Sequence, residues 1–263
     1  MKSIKSVFIG GKQIGVNCLR VLLENKQPPA LVIANPDDTG ADTWHESLVR
    51  AATEAHVPAA AGKKLSDPEV LASIRAVKPD IIFAIGGTQI ISKDILAIPS
   101  QGTINIHPAL LPKYRGRFST AHAIFNGEKQ TGATLHFMDE GIDSGPIILQ
   151  EPFPIEDGDT GKIVYENFTR VGTKLFREFL LKLDTGAPIQ AIPQNESEAT
   201  YYPKGLPGGG EIDWSWDGET IKRFIRAMTF EPFPPPSFAI GGKKMVVVDE
   251  KYFPGYIPKA DSK

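Results

Sequence analysis

The sequence predicts an α/β fold: a Rossmann-like, doubly wound and mostly parallel sheet, followed by a small β-rich extension. Two observations support this fold class. Short apolar runs alternate with helical patterns along the first part of the chain, and this alternation ends after Gly186. Strands that alternate with helices imply right-handed crossovers and therefore a parallel sheet. We accordingly expect a Rossmann-like domain over residues 1–186 and a small C-terminal domain over residues 187–263.

The first strand and the first helix are indicated by the spacing of their apolar residues. Ser6–Gly10 is a short apolar run that ends in a glycine pair, which is typical of a buried strand. The apolar residues after this turn recur at i, i+4, i+7 and i+8, the spacing of one face of a helix. These residues are Ile14, Cys18, Val21 and Leu22.

The remaining elements of the first domain are predicted in the same way. Apolar runs bounded by glycine or proline predict strands at Leu31–Ala34, Asp80–Ile85 and Thr103–His107. Helical patterns cover Asp42–Ala55 and Pro68–Val77. The second of these helices begins with a proline, which suits the first helical turn.

Proline and glycine interrupt the chain after residue 186, and this stretch is predicted to be a linker. Thr220–Met228 is predicted to be a short helix, because its apolar residues fall on one face. Lys243–Val248 and Lys251–Tyr256 are predicted to form a β-hairpin. A unit of this size has little core of its own, so we expect it to pack on the first domain.

Composition and charge exclude several classes of protein. Lys and Arg number 29 against 31 Asp and Glu, so the net charge is −2 and no broad nucleic-acid surface is expected. The single cysteine, Cys18, excludes an internal disulfide and a cysteine-rich zinc site, and we predict no metal. No apolar run approaches the roughly 18 residues of a membrane span, and the N-terminal run is too short for a signal peptide. We expect a soluble, cytoplasmic protein.

Two polar residues end the strand predicted at Thr103–His107. Side chains alternate along a strand, so Asn105 and His107 share one face, and Pro108 ends the strand just after them. In open α/β sheets, ligands bind at the carboxyl ends of the strands. An amide beside an imidazole can hold a carbonyl and move a proton. The alternative is a satisfied buried histidine beside an asparagine in a turn.

Two further segments carry candidate chemistry. The strand-like alternation of Gly132–Met138 breaks into an acidic, glycine-containing loop, in which Asp143 is a candidate partner for the imidazole of His107. Leu110–Gly116 combines an apolar edge with basic residues, which suits a flat ring that carries an acidic tail. The alternatives are an exposed acidic turn and a solvated basic loop.

These motifs, in this order, resemble the formyltransferase family. The resemblance rests on Asn105–His107, Leu110–Gly116 and Asp139–Ile147, and it covers most of residues 1–170. It resumes weakly at Tyr201–Ala227, a stretch that resembles methionyl-tRNA formyltransferase and the sugar N-formyltransferases. The purine-pathway member of the family, glycinamide ribonucleotide transformylase, normally lacks that stretch.

The resemblance implies transfer of a formyl group from N10-formyltetrahydrofolate to a primary amine. It assigns the catalytic roles to Asn105, His107 and Asp143. An oxyanion forms during such a reaction, and a positioned amide donor stabilises it. The folate co-substrate is expected to lie against two loops and the acidic turn. The residues expected to bind it are Phe83, Ile85, Gly86, Gly87, Leu110, Leu111, Pro112, Arg115, Asp139, Gly141 and Ile142.

The favoured acceptor is a nucleotide-linked amino-dideoxysugar. The turn Gly10-Gly11-Lys12-Gln13 opens a helix, and helix N-termini bind phosphate. Its glycine spacing departs from the dinucleotide-binding fingerprint, which argues against NAD. The other residues expected to bind the substrate are Tyr201, Lys204 and Arg223. The aromatic residues that can stack on a base or pack in the core are Trp44, Trp214, Phe230 and Phe233.

Other members of the family remain as alternatives. Methionyl-tRNA formyltransferases are longer and need a basic patch, whereas glycinamide ribonucleotide transformylase lacks the C-terminal stretch. A formyltetrahydrofolate deformylase uses the same three residues with water, and an inactive folate or nucleotide sensor is a further possibility. The length and short tail resemble the GDP-perosamine N-formyltransferase type. The dTDP-linked 4-amino and 3-amino sugars remain alternative acceptors. The resemblance also suggests a homodimer and a role in lipopolysaccharide O-antigen synthesis.

Overall fold

A central seven-stranded sheet with flanking helices organises the protein. The computed structural model describes residues 4–203 and 205–247. The elements in chain order are β1 (Ser6–Gly10), α1 (Lys12–Glu24), β2 (Leu31–Ala34), α2 (Leu48–Glu54), β3 (Ala59–Ala60), α3 (Pro68–Val77), β4 (Ile81–Ile85), α4 (Lys93–Leu96), β5 (Thr103–His107), β6 (Arg115–Gly116), α5 (Ser119–Phe125), β7 (Gln130–Phe137), β8 (Ile147–Pro154), α6 (Gly161–Asp184), β9 (Tyr201–Tyr202), α7 (Gly218–Met228), β10 (Ser237–Ile240) and β11 (Lys243–Val246).

The sheet is mostly parallel, as the sequence predicts. Its strand order is β3-β2-β1-β4-β5-β7-β8. The five strands from β3 to β5 in that order run parallel, whereas β7, near one edge, pairs antiparallel with both of its neighbours, β5 and β8. The parallel strands end together, so the loops after β1, β4 and β5 meet at one edge of the sheet.

The two faces of the sheet bury two separate sets of apolar side chains. Phe8 of β1 belongs to the larger set, which joins α1 and α6 to the sheet, whereas its neighbours Val7 and Ile9 belong to the set beneath α3 and α4. This division follows from the alternation of side chains along a strand. On the larger side, the ring of Phe83 packs edge-on against Phe176, with 5.1 Å between ring centroids.

The helix predicted at Asp42–Ala55 begins only at Leu48, so that prediction is wrong over residues 42–47. Two polar side chains set the later start. The Ser47 hydroxyl accepts a hydrogen bond from the Arg50 N–H at 3.0 Å, the arrangement of a helix N-cap. The Asp38 carboxylate accepts hydrogen bonds from the Ser47 hydroxyl at 2.6 Å and the Leu48 N–H at 2.8 Å. This carboxylate ties the loop after β2 to the start of α2.

The C-terminal part packs on the first domain through α7. Asp217 caps this helix by accepting a hydrogen bond from the Thr220 N–H at 2.7 Å, so it begins two residues before the predicted start, at Gly218. Phe224 and Met228 of α7 are fully buried and form a small apolar cluster with Ile212. The predicted division at residue 186 falls just after α6, and the independence of the second unit stays a prediction.

The described part of the predicted hairpin pairs differently from the expectation. Lys243–Val246 forms an antiparallel pair with Ser237–Ile240, across the turn at Gly241 and Gly242. The other predicted strand, Lys251–Tyr256, and the end of the first, Val248, lie outside the described residues. Among the helices of residues 4–203 and 205–247, none is both long enough and apolar enough to cross a bilayer.

Candidate active site

The loops after β1 and β4 lie in direct contact at the carboxyl edge of the sheet. A Cβ atom on Gly10 would stand 1.9 Å from the Ile85 carbonyl oxygen, and one on Gly86 would stand 2.1 Å from the Gly11 carbonyl oxygen. The buried side chain of Asn35 holds the second loop: its Nδ2 donates to the Gly86 carbonyl at 3.0 Å. The turn predicted for phosphate and the loop predicted for folate are therefore neighbours.

His107 is held in one tautomer by its buried partners. Its ring is 3% exposed, and its Nε2 lies 2.8 Å from the Tyr114 carbonyl oxygen, which can only accept. Nε2 therefore carries the proton. The Ser119 hydroxyl donates to the same carbonyl at 2.9 Å and lies 3.2 Å from Nε2. In the neutral ring, Nδ1 is the basic nitrogen.

Asp143 faces that basic nitrogen. Its Oδ2 lies 3.4 Å from His107 Nδ1, and the side chain is 13% exposed. The Gly116 N–H donates to the same Oδ2 at 2.9 Å. Asp143 has a positive φ of 53°, a left-handed conformation that is uncommon for a residue other than glycine. The partnership predicted between His107 and Asp143 is thus present as a contact between the two side chains.

His136 is a buried residue of the site that the sequence analysis did not select. Its Nδ1 donates to the Phe137 carbonyl at 2.7 Å, so its Nε2 can only accept while the ring is neutral. Asn105 Nδ2 lies 3.3 Å from this Nε2, which fixes the Asn105 amide with its NH₂ group toward His136. Burial lowers the pKa of His136 to about 4, against the opposing effect of the nearby Asp143 carboxylate. The alternation of polar side chains along β7 was the available signal.

The loop that carries Leu110–Pro112 is tied to the antiparallel strands. The Thr134 hydroxyl donates to the Ala109 carbonyl at 2.6 Å. Gln150 Nε2 donates to the Leu111 carbonyl at 2.9 Å and to the Thr134 hydroxyl at 2.7 Å. These bonds hold the apolar edge of the site above β7 and β8.

Several residues predicted to bind folate have side chains committed elsewhere. Phe83 and Ile85 are fully buried in the core, so only their backbone can meet a ligand. The guanidinium of Arg115 pairs with Gln194 and Glu196, and the residue also lines a cavity of about 300 Å³, so its contact with an acidic tail stays a prediction. Ile142 differs, because its side chain is 52% exposed.

The remaining residues predicted for folate lie in the acidic turn and in the loop after β4. Asp139 Oδ1 accepts hydrogen bonds from the Gly141 N–H at 3.0 Å and the Ser144 hydroxyl at 2.7 Å, which shapes the turn. A Cβ atom on Gly87 would have no neighbour within 4 Å, so this side of the loop is open. These positions remain available to a ligand.

Lys12 and Arg117 bring two positive charges together at the start of α1. Burial and the charge of Arg117 lower the pKa of Lys12, and the carboxylate of Asp37 opposes this shift. The guanidinium of Arg117 lies over the ring of Phe118, 5.4 Å from its centroid. Two cations in a partly buried position favour an anion beside them.

A cavity of about 500 Å³ adjoins this turn. Gln13 lines it, and the three aromatic rings of Trp44, Tyr165 and Phe230 form one wall, with centroids 5.0–5.7 Å apart. The amide of Gln13 also donates to Glu46 at 2.9 Å, which secures the loop that carries Trp44. Two of the four aromatic residues proposed for base stacking therefore line one cavity.

The other two aromatic residues lie elsewhere. Phe233 packs edge-on against Phe118 and Phe230, at 5.4 Å and 5.0 Å between centroids. Trp214 is 60% exposed and packs against Phe238. Neither residue lines the 500 Å³ cavity.

The predicted substrate residues of the C-terminal part are dispersed. Tyr201 is 52% exposed and lines a smaller cavity of about 300 Å³ together with Ile142. Arg223 donates to the Phe125 carbonyl at 3.0 Å, which joins α7 to α5, and to the Thr220 hydroxyl at 2.8 Å; its contact with phosphate stays a prediction. Lys204 lies outside the described residues. Within the described ranges, no cluster of three or more His, Cys, Asp or Glu side chains is arranged to hold a metal ion.

Comparison with known proteins identifies the family. Residues 4–180 match the family model described as formyl transferase. The N-formyltransferase from Helicobacter canadensis, in complex with folinic acid and dTDP-3-aminofucose, has 28% sequence identity and a TM-score of 0.74; the match covers 91% of this chain and 85% of that chain. The sugar 3-N-formyltransferase WlaRD, in the presence of dTDP and 5-N-formyl-THF, also has 28% identity and a TM-score of 0.74, with 93% and 85% covered.

A third similar structure shares the fold alone. Glycinamide ribonucleotide transformylase 1 from Symbiobacterium toebii has 21% identity and a TM-score of 0.61, and the match covers 74% of this chain and 96% of that chain. The two sugar enzymes thus match more of this chain than the purine enzyme does. Since the family model spans well over half of the sequence, the chain belongs to the formyl transferase family and is a formyltransferase.

Proposed function

We propose that this formyltransferase moves the formyl group of N10-formyltetrahydrofolate to the primary amine of a nucleoside-diphosphate amino-dideoxysugar. The observation that carries the proposal is the convergence of Asn105, His107 and Asp143 at the carboxyl edge of the sheet, with His107 Nδ1 3.4 Å from Asp143. The match to two sugar N-formyltransferases, over more than nine-tenths of this chain, supports the choice of acceptor.

The three residues can supply each step of the transfer. The sugar amine attacks the formyl carbon, the new C–N bond forms, and the carbonyl oxygen becomes an oxyanion to which Asn105 Nδ2 donates its second hydrogen. His107 Nδ1 takes the proton that the amine loses, and Asp143 stabilises the resulting imidazolium. The C–N10 bond then breaks, and the same proton goes from Nδ1 to N10, which leaves tetrahydrofolate and the N-formyl sugar.

The folate is proposed to lie between the two loops of the site. The open side of Gly87 and the exposed side chain of Ile142 offer contacts to the pteridine, together with the backbone of Leu110–Pro112. The Leu110–Pro112 loop is secured by Thr134 and Gln150 before any ligand binds. A preformed loop loses less conformational entropy on binding.

The nucleotide is proposed to bind across the start of α1. Lys12 and Arg117 match the charge of a diphosphate, and the helix N-terminus adds its backbone N–H groups. Gln13 follows Lys12 and lines the 500 Å³ cavity. A base packed against the aromatic wall of this cavity would therefore lie close to a diphosphate at Lys12.

A direct assay of acceptors tests this function. The protein is incubated with N10-formyltetrahydrofolate and, separately, dTDP-3-aminofucose, a dTDP-4-amino-4,6-dideoxysugar, GDP-perosamine, methionyl-tRNA, glycinamide ribonucleotide or no acceptor, and tetrahydrofolate is measured. We expect release with one amino sugar and none without acceptor. Release with water alone would identify a deformylase, release with tRNA or the ribonucleotide would identify those enzymes, and no release in any arm would indicate a binding protein.

A further inference from the structure

A glutamine from the segment after α6 reaches into the loop that carries Asp143. We propose that Gln194, held by Arg115, is a positioning residue that keeps Asp143 in its conformation opposite His107. The inference rests on the catalytic role proposed for Asp143.

Both polar atoms of the Gln194 side chain form hydrogen bonds within the protein. Its Nε2 donates to the carbonyls of Asp143 and Gly145, both at 2.7 Å. Its Oε1 accepts from Arg115, at 3.1 Å from Nε and 2.8 Å from Nη2. A guanidinium can only donate and a carbonyl can only accept, so the orientation of this amide is fixed by its partners.

Arg115 is itself locked in place. The side chain is buried, and Nη1 and Nη2 donate to the two carboxylate oxygens of Glu196 at 2.9 Å and 2.6 Å. Its backbone N–H donates to the Thr200 carbonyl at 2.9 Å, and β6 pairs with β9. A planar guanidinium with both edges occupied is a rigid anchor for the glutamine.

The geometry of Asp143 explains why such an anchor is needed. Its φ of 53° is disfavoured for a residue with a Cβ atom and persists only where neighbours hold it. Gly116, next to Arg115, holds the carboxylate through its N–H at 2.9 Å. Gln194 holds the backbone of the same residue. One short strand, β6, therefore fixes both the side chain and the main chain of Asp143.

The test compares two substitutions of Gln194 with a matched control. Gln194→Met removes both sets of hydrogen bonds at similar size, whereas Gln194→Glu keeps the pairing with Arg115 and loses the donors to the two carbonyls. Gln190→Met is the control, because Gln190 lies in the same segment and is exposed. Kinetics are measured with N10-formyltetrahydrofolate and the amino sugar that the wild-type enzyme formylates fastest.

We expect kcat to fall about 10–100-fold in both Gln194 variants, by analogy with the loss of an outer residue that orients a metal ligand. KM for either substrate should change less than about 3-fold, because neither substrate touches Gln194 in this proposal. Gln190→Met should match the wild type. In the background of Asp143→Asn, Gln194→Met should cause no further loss of kcat, because its effect acts through the missing carboxylate.

Two results would overturn the proposal about Gln194. An unchanged kcat in either folded Gln194 variant would show that Asp143 needs no such anchor. A further loss in the double variant, equal to that of Gln194→Met alone, would show that Gln194 acts independently of Asp143. A wild-type rate in Asp143→Asn alone, or no turnover of any amino sugar by the wild type, would instead remove the proposed function on which this inference rests.

Discussion

The two buried histidines of the site are held in opposite tautomers. His107 donates from Nε2 and His136 donates from Nδ1, in each case to a backbone carbonyl. His107 therefore presents Nδ1 to Asp143, and His136 presents Nε2 to Asn105. Backbone acceptors thus leave Nδ1 of His107 free to act as the base, and in the proposed mechanism this nitrogen takes the proton from the amine.

At this scale the first prediction concerns His107. Replacing it by asparagine removes the base and the imidazolium, so we expect kcat for formyl transfer to fall by at least about 10²-fold, the scale of a positioned acid–base group. The asparagine side chain can still form hydrogen bonds at this position, and circular dichroism checks that the fold is retained. His56→Asn, at an exposed position, is the control. A near-normal rate in His107→Asn would contradict the mechanism.

The second residue-scale prediction concerns pH and stability. The pKa of buried His136 is lowered to about 4, whereas an unfolded histidine has a pKa of about 6.5. Between pH 6.5 and pH 4 the unfolded chain therefore binds a proton at His136 that the native state does not bind. This residue therefore adds no penalty above pH 6.5 and destabilises the protein progressively as the pH falls toward 4. The total decrease in the free energy of unfolding from this residue is about 3 kcal/mol.

Urea unfolding at pH 7 and at pH 4.5 measures this effect. His136→Gln has no titrating ring, so we expect its free energy of unfolding to fall less between the two pH values than that of the wild type. His56→Gln is the matched control, since His56 is exposed. Parallel losses in the wild type and His136→Gln would mean that His136 is not a neutral buried ring.

At the scale of elements, the site depends on the close approach of the loops after β1 and β4. Gly10 and Gly86 leave no room for a Cβ atom against the opposing backbone. Asn35 from the end of β2 adds hydrogen bonds to the Gly86 carbonyl and from the Thr88 N–H, each 3.0 Å long. Three strand ends are thus joined before any ligand arrives.

The adjacent residues Gly86 and Gly87 allow a test of the contact between the loops after β1 and β4. Gly86 has a φ of 68° and its Cβ position meets the Gly11 carbonyl oxygen, so Gly86→Ala should lower the free energy of unfolding by more than about 2 kcal/mol. Gly87→Ala meets nothing within 4 Å and should stay within about 0.5 kcal/mol of the wild type. Chemical denaturation compares the two variants. Equal stability would disprove the tight contact of the loops.

At the scale of the whole molecule, the two proposed ligands should bind adjacent parts of one surface. A ligand that binds only the native state stabilises it by about 2.7 kcal/mol at a hundredfold excess over Kd. We expect folinic acid and one nucleoside diphosphate from a panel of dTDP, GDP, UDP and CDP each to raise the melting temperature. The responding nucleotide would name the carrier of the sugar.

The variant Lys12→Ala tests whether the nucleotide binds at the start of α1. We expect this variant to lose the shift caused by the nucleotide and to keep the shift caused by folinic acid, because Lys12 lies beside Arg117 at the start of α1. Lys182→Ala, at the far end of α6, should keep both shifts. Loss of the folinic acid shift in Lys12→Ala, or retention of the nucleotide shift, would move the diphosphate away from this turn.

Much of the fold could be predicted because local patterns and sheet geometry agree. The bounds of β1, β2, β5 and α3 follow directly from apolar runs and their flanking residues. The start of α2 could not be predicted, since it depends on Asp38, a side chain from the preceding loop. Of the residues chosen for the site, Asn105 and His107 are selected by strand alternation and the family motif, and Asp143 by the acidic loop and the motif; their catalytic roles stay predictions.

By itself, the sequence determined the alternation of strands and helices, the strand end that carries Asn105 and His107, and the family. Only the tertiary structure decided the partners of individual polar groups. Arg115, for example, meets Gln194 and Glu196, which lie 79 and 81 residues away along the chain. The physical reason is that strand periodicity is local, whereas a buried polar group takes whatever partner the folded chain brings within hydrogen-bond distance.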